Sequence, residues 1–257
     1  MTKNTLSESL KNELRKHLLE ELSDKNHEQE TLAAIDAFVE MLKDYALQWC
    51  ENKFTLLEDV DKINKPEAVV ACAFGYLRKL NGNIDPGPMN EELAEIAIKY
   101  YKHWGCPVFA QWEIAEKIVS KSSDIANDKL YFIYPSINEE DATIKYLSTK
   151  DIFFNVKTIN VYQKNASGNF EQCAQKPKIP NKVIVVIAHR DHALRCLRIA
   201  RDLEFEAQAL FNDLPVWYDK DSAQPWTTSR QNYLIHDFGS RFSGYRRKQG
   251  FYSPVTK

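Results

Sequence analysis

A short stretch at residues 182–203, KVIVVIAHRDHALRCLRIARDL, combines residue types that bind anions and move protons. Six apolar residues precede His189, Arg190, Asp191 and His192. An imidazole with a pKa of about 6.5 can act as a general acid or base at neutral pH, and arginine binds phosphate or carboxylate groups in a bidentate manner. The stretch is therefore a candidate site, with His189 and His192 as the candidate catalytic residues.

Three interpretations of this stretch remain open. In the first, Asp191 caps the following helix, the histidines form local hydrogen bonds, and the arginines make a solvated helix face. In the second, the helix N-terminus helps to hold an anionic small molecule, in a pocket lined by His189, Arg190, His192 and Arg195. In the third, both histidines bind zinc together with Asp191. Zinc requires three or four ligands and no second Cys/His cluster is present, so we assign no metal.

Further candidate ligand-binding residues follow other predicted elements. Gly75 comes after the first apolar run, where a glycine lets a ligand approach the backbone. Gln111 and Glu113 come after the second, and Glu113 could act as a base or bind a hydroxyl group. Ser148 and Thr149 could donate hydrogen bonds to an anion. Each also has a purely structural interpretation, as a turn residue or a residue of the first helical turn.

The elements that must position these residues alternate between strands and helices. Apolar runs predict strands at 67–74, 107–110, 130–134, 152–156, 183–188 and 207–211. Helical periodicity predicts intervening helices at 90–104, 112–120, 141–147 and 192–203. Residues 157–181 are expected to form a hairpin or an irregular insertion. The alternation predicts an α/β fold, a Rossmann-like, mainly parallel sheet with helices on both faces.

The N-terminal region has a different pattern. Apolar residues recur at three- and four-residue steps over 32–49, as in an amphipathic helix. We therefore predict a helical extension at 1–62 that packs on an α/β domain at 63–257.

Composition excludes some partners and suggests a compartment. The chain has 257 residues and a net charge of −2, so nothing in its overall charge attracts nucleic acid or an anionic membrane. Five cysteines without a CxxC pair indicate reduced thiols. The first residues lack the apolar core of a signal peptide, and no apolar run approaches the roughly 20 residues of a membrane span. These features predict a cytoplasmic protein.

Several segments together resemble the DUF218 family, whose members are also called YdcF-like or SanA/ElyC-like. They are AVVACAFG, NEELAEIAIKYYKHWGCPVFAQWE, the 182–203 stretch, and SRQNYLIHDFGSRFSGY, within about residues 65–245. The resemblance implies a Rossmann-like domain with a cleft at the carboxyl edge of the sheet, and binding of S-adenosylmethionine or a role in envelope metabolism. By position it implies that His192 and Arg195 are pocket residues and that Gly75 is the first-loop glycine.

Two functions of different classes follow. The first is binding of an anionic, nucleotide-like small molecule at the carboxyl edge of the sheet, with a transferase or hydrolase reaction left open. The cofactor is undetermined, with S-adenosylmethionine or another nucleotide as candidates. The sequence lacks GxGxxG and GxxxxGK[ST], which disfavours a standard dinucleotide or P-loop site. The alternative is a non-catalytic interaction protein, in which helix 32–49 and the aromatic loop 215–226 mediate contacts, including self-association into a homo-oligomer.

Overall fold

The structure is a computed structural model that describes residues 56–57, 63–121, 125, 127–135, 147–158, 160–164, 170–173, 179 and 182–248. The chain divides into two compact units. One unit is Thr55–His236, and the other combines Met1–Phe54 with Asp237–Lys257. The site and the sheet belong to the first unit.

The strands of the described residues form one large sheet and a small hairpin. In chain order they are β1 Leu56–Leu57, β2 Ala68–Ala71, β3 Leu77–Arg78, β4 Ile84–Asp85, β5 Val108–Gln111, β6 Leu130–Ile133, β7 Tyr162–Lys164, β8 Phe170–Gln172, β9 Val183–Ile187 and β10 Glu206–Leu210. The eight-stranded sheet has the order β1-β10-β9-β2-β5-β6-β7-β8, while β3 and β4 pair separately. All neighbours from β1 to β6 are parallel, and β7 and β8 are antiparallel.

The helices connect these strands. They are α1 Gly87–Trp104, α2 Trp112–Lys121, α3 Thr149–Thr158, α4 Arg190–Asp202 and α5 Arg230–Lys248. Helix α1 follows a proline-containing start and ends at Gly105, which has the left-handed conformation that glycine adopts at helix ends. Helix α1 packs against α2, and α3 packs against α4. The crossovers from β2 to β5 and from β9 to β10 run in opposite directions across the sheet. Because such crossovers are right-handed, the two helix pairs lie on opposite faces.

The strand order defines where a ligand would bind. From one edge, β10, β9, β2, β5 and β6 correspond to strands 5-4-1-2-3 of a Rossmann sheet. The direction of winding therefore reverses between β2 and β9. The central strands carry fully buried apolar side chains on both faces, as a parallel sheet covered by helices requires. The predicted α/β, Rossmann-like fold is confirmed.

Some element predictions were wrong. Residues 152–156 lie in α3, because Ser148 and Asp151 cap the helix and Ile152, Phe153 and Val156 form its buried face. Helix α1 begins at Gly87 rather than at Asn90. The predicted helical extension 1–62 contains an edge strand, β1. The predicted helix at 32–49 lies outside the described residues, as do residues 141–146 of the helix predicted at 141–147.

Residues 162–172 contain the antiparallel hairpin of β7 and β8, one of the two structures expected there. Within the described residues, no helix combines the length and the hydrophobicity that crossing a lipid bilayer requires.

Candidate functional site

The loop after β2 is held by one buried asparagine. The backbone N–H of Phe74 donates to Asn90 Oδ1 at 2.9 Å. The Asn90 amide then donates to the carbonyl oxygens of Gly75 at 2.8 Å and Pro86 at 2.6 Å. Asn90 is fully buried, so these bonds form without competition from water. The first turn of α1 thereby fixes the loop at the carboxyl end of β2.

Gly75 stands where a side chain would not fit. Its φ is +78°, in the left-handed region that favours glycine. A Cβ at this position would lie 2.7 Å from Ser222 Oγ and 2.8 Å from Thr227 Oγ1. The backbone of the loop is therefore in close contact with the segment between β10 and α5. Gly75 is predicted to let a ligand approach the backbone. In the structure, Ser222 and Thr227 of this segment approach it.

His189 caps α4 and is buried. Its Nδ1 accepts a hydrogen bond from the Asp191 N–H at 3.3 Å, and its Nε2 donates to the Trp217 carbonyl oxygen at 3.0 Å. Burial lowers its pKa to about 4. These contacts favour the neutral imidazole and argue against proton transfer by His189 near neutral pH. The prediction that Asp191 caps the helix is wrong, because His189 occupies that position.

Asp191 instead joins three elements. Its Oδ2 accepts hydrogen bonds from the Tyr218 hydroxyl at 2.6 Å and from Arg230 Nε at 3.1 Å. The Arg190 N–H donates to the Pro215 carbonyl oxygen at 2.9 Å. The first two N–H groups of α4, those of Arg190 and Asp191, are thus occupied by the protein itself. An anion at this helix end would have to bind through side chains.

Aromatic rings cluster around Phe74. The Phe74 ring stacks on His189, with centroids 4.2 Å apart, and lies 5.7 Å from Tyr218 and 5.6 Å from Tyr233. The His192 ring centroid is 6.1 Å from that of Phe74, and its Nδ1 lies 3.2 Å from the Tyr233 hydroxyl. His192 is half-buried, unlike His189. It is therefore the better placed of the two histidines for proton transfer.

Helix α4 carries two arginines in its first two turns, Arg190 and Arg195. The Arg190 guanidinium lies over the Phe211 ring at 4.6 Å, directly after β10, in a cation–π contact. Arg195 follows His192 by three residues, so both lie on one face of the helix. Arg195 is half-buried and lies one turn from His192. Arg190 thus brings positive charge to the end of β10.

On the other side of β2, Gln111 and Glu113 mark the end of β5. Gln111 Oε1 accepts a hydrogen bond from the Ala73 N–H at 2.6 Å, which connects the ends of β5 and β2. Among the described residues, Glu113 Oε2 is a buried oxygen without a hydrogen-bond partner. Desolvation raises the pKa of Glu113 to about 7, and the nearby charge of Glu116 contributes in the same direction.

Ser148 and Thr149 have a different role. The Ser148 N–H and hydroxyl both donate to Asp151 Oδ2, at 2.9 and 2.6 Å, and the Asp151 N–H donates back to Ser148 Oγ at 3.2 Å. This reciprocal pattern is a capping box. Thr149 is buried in the first turn of α3. These contacts favour the structural interpretation of both residues.

The zinc interpretation has little support from the geometry. In the part of the chain that the structure describes, no three His, Cys, Asp or Glu side chains are grouped to hold a metal ion. Both nitrogens of His189 are engaged in hydrogen bonds.

The segment between β10 and α5, together with the first turn of α5, contains site residues that sequence reasoning missed. Tyr218 and Tyr233 contact the histidines, and the Trp217 indole N–H donates to Glu92 Oε2 at 2.6 Å. The concentration of aromatic residues in this loop was the available signal, but it was interpreted as a contact surface for partners. Val216 and Trp217 of this loop are exposed. The alternative function, a protein that binds partners through this loop and the predicted helix 32–49, stays a prediction, and residues 32–49 lie outside the described residues.

Comparisons of the chain with protein-family models, curated proteins and solved structures returned no match.

Proposed function

We propose that this protein binds an anionic, nucleotide-like small molecule at the carboxyl edge of the sheet, beside the reversal between β2 and β9. The observation that carries the proposal is the strand order, which reverses between these two strands. In open α/β sheets, ligands bind in the crevice outside the carboxyl ends of the strands at such a reversal. The backbone of the loop after β2 is held by Asn90 of α1, and His189, which follows β9, is fixed by a buried hydrogen bond.

Arg195 and His192 would contact the anionic group. The first two N–H groups of α4 are used within the protein, so the charge on Arg195 must supply most of the attraction. Arginine suits this role because its guanidinium forms two parallel hydrogen bonds with phosphate or carboxylate. If the bound molecule reacts, His192 is the candidate acid or base.

The identity of the ligand rests on resemblance. The likeness to the DUF218 family supports S-adenosylmethionine or another nucleotide as the ligand, and a transferase or hydrolase reaction. We further propose that the protein is cytoplasmic. We also propose that it self-associates through the predicted helix 32–49, which is compatible with ligand binding at the sheet edge.

A thermal-shift panel tests the proposal. The purified protein is screened with S-adenosylmethionine, adenosine monophosphate and sugar phosphates, alongside Arg195→Ala and the control Arg78→Ala on the exposed hairpin. A ligand at 100 times its dissociation constant stabilises the folded state by about 2.7 kcal/mol. We expect a shift in the wild type and in Arg78→Ala, and its loss in Arg195→Ala. A shift retained in Arg195→Ala would remove Arg195 from the site, and silence across the panel would refute the proposal.

A further inference from the structure

We infer that Glu113 binds a hydroxyl group of the ligand, so that the site selects a hydroxyl-bearing sugar phosphate or nucleotide. This inference rests on the proposed function, because it assumes that the same molecule places its anionic group near Arg195. It adds a second contact point and a chemical requirement that the anion-binding residues alone do not impose.

The position of Glu113 supports this assignment. It is the second residue of α2, which begins directly after β5, and β5 pairs with β2 through Ala110 and Ala71. Strand β2 also pairs with β9, so the ends of β9, β2 and β5 are neighbours in this order. Adjacent strands are about 4.8 Å apart, which places the ends of β9 and β5 about 10 Å apart. An elongated ligand that crosses the end of β2 would therefore extend from the start of α4, which carries Arg195 in its second turn, to the start of α2, which carries Glu113.

The unsatisfied oxygen of Glu113 points to a missing hydrogen-bond donor. Buried polar atoms nearly always have a partner, and leaving one without a partner destabilises the folded state. Yet Glu113 Oε2 is buried without one among the described residues, although the residue as a whole is only half-buried. A ligand donor at this position would satisfy the oxygen.

The surroundings of Glu113 favour a hydroxyl group over a cation. With a pKa raised to about 7 by desolvation, Glu113 is present both as a carboxylate and as a carboxylic acid near neutral pH. A hydroxyl group can donate to the first form and accept from the second, whereas an ammonium group pairs only with the carboxylate.

Isothermal titration calorimetry with two probes tests the inference. Adenosine monophosphate carries both ribose hydroxyls, and 2′,3′-dideoxyadenosine monophosphate lacks them. The proteins are the wild type, Glu113→Ala, and Glu95→Ala as a control at an exposed glutamate of α1. We expect the wild type and Glu95→Ala to bind the hydroxylated probe roughly tenfold or more tightly than the dideoxy probe. In Glu113→Ala this preference should disappear, while affinity for the dideoxy probe is unchanged.

The outcomes separate the two proposals. If the wild type binds both probes equally, or if Glu113→Ala keeps the preference, the inference is overturned and the proposed function stands. If neither probe binds the wild type, the proposed function fails for nucleotides, and the inference fails with it. Should Glu113→Ala lose the native circular-dichroism spectrum, Glu113→Gln replaces it. This variant keeps the shape of the side chain, and we expect the preference to weaken.

Discussion

Replacing Gly75 by alanine tests how closely the loop after β2 approaches the segment before α5. Two effects are expected. A residue with a side chain at a φ of +78° costs about 1–2 kcal/mol. The added Cβ would also lie 2.7 Å from Ser222 Oγ and 2.8 Å from Thr227 Oγ1, so both hydroxyl groups must move.

The second effect can be isolated with a control. Gly82 has a similar φ of +83°, but a Cβ there would have no atom within 4 Å. Gly82→Ala therefore carries the backbone cost alone. In Gly75→Ala, displacement of the hydroxyls weakens the 2.6 Å bond between Ser222 and Thr227 and the 2.9 Å bond from Thr227 to the Gln224 carbonyl oxygen. At about 0.5–1.5 kcal/mol per bond, Gly75→Ala should be about 1–3 kcal/mol more destabilising than Gly82→Ala.

Urea unfolding followed by tryptophan fluorescence measures this difference, since Trp217 and Trp226 lie in the segment concerned. The free energies of unfolding are compared between variants with the same dependence on urea concentration. A change in the unfolding midpoint then reports a change in stability. Equal destabilisation by the two variants would refute the close packing on which this account of the loop depends.

Two further variants probe the buried groups of the site. The pKa of His189 lies at about 4 in the folded state against 6.5 for a free histidine. As the pH falls below 6.5, the unfolded state binds a proton on His189 while the folded state does not. The contribution of His189 to the free energy of unfolding is therefore complete above pH 6.5 and is lost as the pH falls toward 4, by about 3 kcal/mol in total. The difference in unfolding free energy between wild type and His189→Asn should therefore shrink over this range, and a difference independent of pH would contradict it. Asn90→Ala removes three buried hydrogen bonds and should destabilise the protein by about 2–4 kcal/mol in urea unfolding. The exposed control Asn83→Ala should cost under 1 kcal/mol, and equal costs would argue against the anchoring role of Asn90.

The fold was predictable because its signal is local. The apolar run at 183–188 and the helical spacing after it predict a buried strand and a helix without knowledge of their neighbours, and both are present. The order of the strands was not predictable, since pairing between β2 and β9 joins residues more than a hundred positions apart. Residues 152–156 were assigned to a strand because a short apolar run fits both structures, and the capping box before it was overlooked.

The candidate site was predictable in outline only. The sequence predicts candidate residues at the ends of three strands. The structure places Gly75, Gln111 and His189 at the ends of β2, β5 and β9. It did not show that the His189 nitrogens are both engaged, because one partner is a backbone carbonyl 28 residues away. Nor did it show that Tyr218 reaches Asp191, which depends on the path of a loop without periodicity.

Hydrogen–deuterium exchange with and without adenosine monophosphate tests the location of the proposed site most directly. We expect slower exchange on ligand addition in peptides that cover 72–76, 111–116 and 188–196, the segments that follow β2, β5 and β9. The hairpin tip at 79–83 should exchange at the same rate in both samples. Protection confined to other regions, or no protection anywhere, would contradict the central claim that the carboxyl edge at the β2–β9 reversal is a ligand site.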